Sequence, residues 1–375
     1  MMKRYFLNGI GIVLAVAFVV FLIIFNINLE YPLPADAQTG NKYEKAKVVR
    51  IVSDTLAPDP EFKDIKIGVQ ELEFEILTGE HKGKNFIGKN FISRTMNYPA
   101  KVGTKMVISS YDGFISGLVV GYSRGNVLYI LGIVFAIAVL IIGFKKGLKS
   151  LMALVFTLIC IIFLFTPMLI RGINPIVAAL IVVSLSTIAT MLALNGWSRK
   201  TVVAIISCLL CTLLAGGISI LFGALAHIST YATPEIEDLV FIAQNTSLKL
   251  HDILFAGIII AASGAVMDTT ISVVSSMFEM REIDPEISQK KLFKSGMNVG
   301  RDIMGANTNT LILAFTGSSI NTILVVFMYQ LPYMQMINLD LLAIEVVRGL
   351  SGAIAVVLSI PITAMLVVKS MKDKR

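Results

Sequence analysis

Long stretches with few or no charged side chains dominate this chain and set the strongest limit on its fold. An α-helix of about 20 apolar residues spans the hydrocarbon core of a bilayer, and runs of this length recur along the whole sequence. So many runs cannot all be cores of separate soluble domains. We therefore predict an α-helical polytopic membrane protein with about eight transmembrane helices. They cover approximately residues 6–27, 127–144, 151–170, 176–194, 201–225, 253–277, 303–328 and 341–368.

The composition and the placement of charge support the same class. Hydrophobic residues make up 55% of the chain, the mean hydropathy is +0.79, and only 15% of residues are charged. The basic segments 145–149, 195–200 and 281–301 and the C-terminal tail fall on one side of the predicted bundle, whereas the acidic loop near Glu235 falls on the other. Because cytoplasmic loops collect Lys and Arg, both termini are predicted to be cytoplasmic. The net charge of +7 thus indicates membrane orientation and not nucleic-acid binding.

The segment between the first two predicted helices has a different pattern. Leu72, Phe74 and Ile76 alternate with glutamates, which is typical of a half-buried strand. Further short apolar runs are separated by turn residues, so we predict a small extracytoplasmic β-barrel-like domain of the OB or SH3-like sort. The three cysteines lie elsewhere, and this domain has no disulfide framework. The predicted parts are an N-terminal anchor helix at 1–27, a linker and β domain at 28–126, and a helical bundle at 127–375.

Polar residues inside apolar helices are the candidate functional residues, since they are costly there. In the sixth predicted helix, Asp268 and Ser272 share one face with several small residues. Asp268 could bind a cation or carry a proton. It could equally be a structural aspartate bonded to the seventh helix.

The start of the seventh predicted helix is the second polar cluster. Arg301 and Asp302 are predicted at its cytoplasmic edge, and Gly300 and Gly305 permit a break that would present backbone groups to an ion or substrate. The alternative is a loop that caps a plain helix. The polar candidates further along this helix are Asn307, Asn309 and Thr310.

The eighth predicted helix carries Glu345 and Arg348, which are spaced to pair within the helix. They are weaker candidates, because a locally paired couple is a common structural feature. The sequence contains no H-E-x-x-H, G-x-S-x-G or P-loop motif, and we predict no enzyme activity, no metal site and no cofactor.

Three segments form a long motif in the helical part of the chain, namely Gly264–Ser272 (GAVMDTTIS), Gly300–Gly305 (GRDIMG) and Asn309–Ala314 (NTLILA). Together they resemble the YibE/F family of bacterial multi-span membrane proteins, and the extra outer domain resembles its larger, YibE-like member. The resemblance implies a multi-pass protein of the bacterial plasma membrane, and a smaller YibF-like protein or a second copy as partner. It also implies that the motif includes the residues Asp268, Arg301, Asp302, Asn309 and Thr310.

Two main functions remain open from the sequence. The first is a transporter or channel component for a small ion or solute, with its polar site around Asp268. The second is a membrane scaffold that transports nothing and whose outer β domain binds an envelope component. A remote third is an intramembrane enzyme, which needs a second acidic or nucleophilic group near Asp268.

Overall fold

The computed structural model describes residues 17–27, 29, 42–110, 117–233 and 236–371. The chain divides into two compact units, one formed by residues 31–138 and the other by residues 1–30 and 139–375. The first part of the predicted anchor helix, the proline-containing linker and the last four residues lie outside the described residues.

The unit of residues 31–138 contains a small β-barrel. Its strands are β1 (Lys42–Asp54), β2 (Ala57–Pro58), β3 (Lys66–Ile76), β4 (Asn85–Ile92), β5 (Lys105–Ser110) and β6 (Gly117–Tyr122). They are paired in the order β1-β5-β6-β4-β3-β2, and β1 also pairs with β3. Five strands therefore close on themselves, and the short β2 extends one edge of β3. The pairs are antiparallel except for β4 with β6, which is parallel.

The side chains of β3 alternate between the barrel core and the outer surface, as predicted. Leu72, Phe74 and Ile76 are no more than 1% exposed, whereas the intervening glutamates face outward and are half-buried. Phe74 stacks on Phe86 with ring centroids 5.3 Å apart. The barrel core is completed by buried residues from the other strands and one loop, namely Ala46, Val48, Ala100, Met106 and Ile108.

A buried ion pair fixes the loop between β2 and β3. The Asp59 carboxylate is enclosed and accepts two hydrogen bonds from Arg94, from Nε at 2.6 Å and from Nη2 at 3.0 Å. It also accepts the backbone N–H groups of Glu61 and Phe62. These hydrogen bonds, above all those from Arg94, lower the pKa of Asp59 to about 2.

The second unit is an α-helical bundle. Its helices are α1 (Ala17–Ile27), α2 (Gly125–Cys160), which begins in the barrel unit, α3 (Thr166–Ile170), α4 (Pro175–Asn195), α5 (Arg199–Leu225), α6 (Ile236–Gln244), α7 (Ile253–Ile283), α8 (Gln289–Ser318), α9 (Ile320–Met328), α10 (Tyr333–Ile337) and α11 (Asp340–Ser370). A short π-helical segment, Ile161–Phe165, joins α2 to α3. Side chains of the preceding residues cap several of these helices. Asn174 caps α4, Ser198 caps α5 and Ser288 caps α8.

Five helical runs among the described residues are long and apolar enough to cross a membrane, or six if the bent pair α8–α9 is one span. The predicted count of eight is not reached, because part of the first span lies outside the described residues and the second and third spans share the run Gly125–Ile170. That run is interrupted at Phe144, where φ is 45°. A Cβ on Gly147 would overlap the carbonyl oxygen of Val139, and residues eight apart in a straight helix are separated by about 12 Å. The chain therefore bends sharply there.

Helix α7 lies at the centre of the bundle and packs against α4, α5, α8 and α11. Glycines on α5 permit α5 and α7 to approach closely, because Gly216 lies against Ile259 and Gly223 lies against Phe255. The charged segment 281–294, predicted as a loop leading into the seventh span, is partly helical, since α7 continues to Ile283 and α8 begins at Gln289.

The basic ends of three helices meet at one end of the bundle. Arg199, Arg281 and Ser370 line one cavity there. At the opposite end, Asn174 donates a hydrogen bond of 2.8 Å to Asp252, and Thr230 donates one to the backbone carbonyl of His251. This arrangement groups the basic segments before α5, after α7 and at the end of α11.

We expect Asp59→Asn to loosen the barrel at neutral pH. The pKa of Asp59 is about 2 in the folded barrel and about 3.8 as a free side chain, so its stabilisation is complete above about pH 4 and is lost as the pH falls toward 2. Hydrogen exchange of the full-length protein in micelles, corrected for intrinsic rates, should show faster exchange of residues 57–76 in the variant at pH 6. The difference from wild type should shrink as the pH falls through about 2.

Glu61→Gln is the matched control for this prediction. Glu61 also pairs with Arg94, with Oε2 2.7 Å from Nη1, but its side chain is 67% exposed. Exposed ion pairs contribute little to stability. Equal loss of protection in the two variants, or a difference that does not depend on pH, would contradict the role assigned to Asp59.

Candidate functional site

One side of α7 faces away from the rest of the bundle and carries Asp268. Gly257, Ala261, Gly264 and Asp268 follow helical spacing, and all four are exposed. A Cβ on Gly257 or Gly264 would meet nothing within 4 Å. The predicted small-residue face therefore exists, and no described atom fills the space directly beside its two glycines.

The Asp268 carboxylate has no hydrogen bond or ion pair to any described residue. The neighbouring Ser272 hydroxyl donates to the backbone carbonyl of Asp268, at 2.8 Å, and not to its side chain. Asp268 is thus not the buried aspartate, bonded to the seventh predicted helix, that the structural alternative requires. Its carboxylate remains available at the surface of an apolar helix.

The polar link between α7 and α8 is made by other residues. Asn307 donates a hydrogen bond of 2.8 Å to the hydroxyl of Thr269, which is fully buried. Thr310 is exposed, and its hydroxyl donates to the carbonyl of Ala306 in the same helix. The three candidate residues of α8 therefore lie in different environments. Asn307 holds two helices together, whereas Asn309 and Thr310 face outward.

Helix α8 runs without a break through Gly300 and Gly305, so the predicted interruption there is not found. Gly300 is instead a packing residue, because a Cβ would overlap Ile360 of α11. The break occurs at Ser319, where α8 and α9 meet at 63°. Ser319 is buried at this bend, and no glycine is needed there.

Arg301 and Asp302 lie inside α8, about three turns after its start at Gln289. Their neighbour Gly300 packs against Ile360, and Lys369 follows nine residues later on α11, about 13 Å further along the helix. Both charged side chains are exposed, and neither has an ion-pair partner among the described residues. The two charges therefore lie on the exposed side of α8, away from the basic end of α11.

Glu345 and Arg348 pair within α11, with Nη1 3.1 Å from Oε1. The second carboxylate oxygen of Glu345 is buried and accepts no hydrogen bond from the described residues. Glu345 also borders a cavity of about 260 Å³ beside the α8–α9 bend, together with Thr316 and Ser319. These residues do not join Asp268 in one site.

A second cavity flanks α7 and was not foreseen from the sequence. It has a volume of about 310 Å³, and its lining includes Gly264 and Met267 of α7. Hydroxyl groups from three helices contribute to its wall, namely Ser150, Thr157, Ser186, Thr187, Thr190 and Ser263. Single hydroxyls scattered over apolar helices give no signal in a sequence, because their shared cavity depends on how the helices pack. No cluster of three or more His, Cys, Asp or Glu side chains that could hold a metal occurs within the described part of the chain.

Comparison with known proteins gives one result. The sequence model of a family described as YibE/F-like protein matches residues 131–373. The match covers α7, α8 and α11 completely and excludes the strands of the barrel. No curated protein and no solved structure matches the chain.

We expect the Asn307–Thr269 hydrogen bond to stabilise the pairing of α7 and α8 measurably. Interhelical hydrogen bonds in membrane proteins contribute about 0.6 kcal/mol on average and up to about 1.7 kcal/mol. A double-mutant cycle of Asn307→Ala and Thr269→Ala, followed by reversible unfolding in mixed micelles, should give a coupling energy in this range. Additive effects of the two substitutions would show that the contact contributes nothing.

Proposed function

The chain belongs to the YibE/F-like family, and from that premise we propose that it is a component of a membrane transporter or channel for a small cation. The Asp268 carboxylate is the central group of the proposed path. The observation that carries the proposal is its position in the middle of α7, exposed and without an ion pair or side-chain hydrogen bond among the described residues.

The cost of a charge in hydrocarbon supports this assignment. A carboxylate at the centre of a membrane helix costs about 2.5–3.5 kcal/mol on insertion scales, and such groups usually face water, a partner or a transported ion. Asp268 has no partner among the described residues, and the open glycine face beside it leaves room for an ion with part of its water shell. A single carboxylate suits a proton or another monovalent cation.

The hydroxyl-lined cavity adds a second argument. Its wall reaches Met267, the residue before Asp268, and Gly264, one helical turn away. Hydroxyl oxygens can replace part of the hydration of a small cation. Asp268 itself does not line this cavity, so the proposed path runs along the outward side of α7 between the cavity and α8.

We propose the following topology for the same reasons. The chain crosses the bacterial plasma membrane about eight times, with both termini in the cytoplasm and the barrel outside. The grouping of Arg199, Arg281 and the end of α11 at one end of the bundle supports this orientation, because Lys and Arg accumulate on the cytoplasmic side. A smaller YibF-like protein is the proposed second component. The proposal assigns no catalytic step.

A scaffold function is the second candidate, and the surface of the barrel favours it. The order β1-β3-β4-β6-β5 with one parallel pair is that of an OB-like barrel, a fold that often binds ligands on its strand face. Ile87 and Phe91 of β4 and Leu118 and Val120 of β6 are exposed on neighbouring strands. In this function the barrel binds an envelope component, and the bundle only anchors it.

Ion flux in liposomes tests the proposed transport. We expect purified protein, with and without a YibF-like partner, to pass protons, sodium or potassium down a gradient, and we expect Asp268→Asn to abolish the flux. The control is Glu279→Gln, which removes a carboxylate from the same exposed side of α7, three turns nearer its charged end. Its flux should equal that of wild type.

Two results would count against transport. Folded wild-type protein that shows no flux under any of these gradients would favour the scaffold. Equal flux from Asp268→Asn and wild type would remove Asp268 from the path even if the protein conducts.

A further inference from the structure

Helix α8 exposes a continuous seam, and only its last two positions, Ile312 and Thr316, border the cavity beside α11. Its six positions alternate in steps of four and three residues, which is the spacing of the contact seam in paired parallel helices. All six side chains are exposed. The seam consists of Asn298, Asp302, Gly305, Asn309, Ile312 and Thr316.

The opposite side of α8 carries its packing within the bundle. Gly296 lies against Met277 of α7, and Leu311 lies against Gly352 of α11. The part of the seam from Asn298 to Asn309 therefore lies away from the packed side of α8, whereas Ile312 and Thr316 border the cavity beside α11.

We propose that two copies of this chain pair through the seam, with their α8 helices parallel and related by a two-fold axis along the membrane normal. In this arrangement Arg301 of each copy pairs with Asp302 of the other. This interface is independent of the proposed transport, since none of its contacts requires Asp268.

The charges on the seam favour a second copy of this chain as the binding partner. Consecutive helical residues differ by only about 1.5 Å along the axis, so Arg301 and Asp302 lie at the same depth. A parallel copy places its own Asp302 at the depth of Arg301, and the residue before a seam position flanks that seam position of the partner helix. The two-fold axis thus forms two reciprocal ion pairs with no net charge. Lipid would leave all of these charges unpaired, and the side chain of Asp302 is too short to extend from this depth to the charged end of the bundle.

The rest of the seam suits a close helix pair. A Cβ on Gly305 would meet nothing within 4 Å, so two backbones can approach there. Asn309 follows one turn later and has no side-chain hydrogen bond among the described residues. Two asparagines facing each other across the axis can hydrogen-bond to one another, which fixes the register of paired helices.

Charge exchange tests the proposal with the full-length chain. Two differently tagged copies are expressed together and co-purified in mild detergent. Arg301→Asp alone and Asp302→Arg alone should each weaken self-association at least about 30-fold, because each leaves like charges facing one another. Expressed together, the two variants should associate as well as wild type, since each supplies the charges that the other lost. The double variant, with both substitutions in one chain, should also pair with itself.

Cysteine crosslinking keeps the test decisive if a single variant does not accumulate. Asn309→Cys and Thr316→Cys should form disulfide-linked dimers in membranes under mild oxidation. Leu221→Cys, an exposed position on α5, should not. The native cysteines are buried, so wild type serves as a blank.

Three results would overturn the proposal. The first is single charge variants that self-associate like wild type. The second is complementary variants that accumulate but do not associate. The third is Asn309→Cys that crosslinks to a different polypeptide and not to its own copy, which would assign the seam to another membrane protein.

Discussion

A polar side chain on an apolar helix must find its hydrogen-bond partner within the protein, and this constraint orders the whole bundle. The hydroxyls of Ser263, Ser272 and Thr310 meet it locally, because each donates to a carbonyl of its own helix. Asn307 meets it across helices. A carboxylate has no local solution of this kind, because it needs a hydrogen-bond donor and the carbonyls of its own helix are acceptors. Asp268, Arg301 and Asp302 have no ion-pair partner among the described residues, and they define the surfaces to which both proposals are attached.

The sequence predicts well wherever one residue pattern corresponds to one environment. The alternation of Leu72, Phe74 and Ile76 with glutamates is enough to predict a strand with one buried side, and the barrel contains it. Membership of the YibE/F-like family follows in the same way from contiguous motifs. Long apolar runs likewise predict helices, although the number of spans is less certain when two runs share one helical segment that bends at Phe144.

The sequence predicts poorly where the outcome depends on which neighbour a residue meets. Gly300 and Gly305 look alike as positions for a break, yet Gly300 is filled by Ile360 and Gly305 is open. The break falls at Ser319, which has no distinctive sequence signal. The position of Arg301 well inside a helix was likewise not predicted. The fourteen residues 289–302 form the first turns of α8, although their charges resemble those of a loop. The hydroxyl-lined cavity is another feature that only helix packing creates.

The two kinds of glycine in the bundle have a consequence for evolutionary drift. Gly216, Gly223, Gly296 and Gly300 lie against side chains of neighbouring helices, so a substitution to alanine meets resistance within a single chain. At Gly257, Gly264 and Gly305 the single chain offers none. If the protein acts as a monomer, these three glycines can therefore be replaced by other small residues without a packing cost. A contact with another chain would select for glycine at the residues that it covers. Retention of glycine at Gly305 but not at Gly257 among related sequences would therefore indicate that the partner lies against α8.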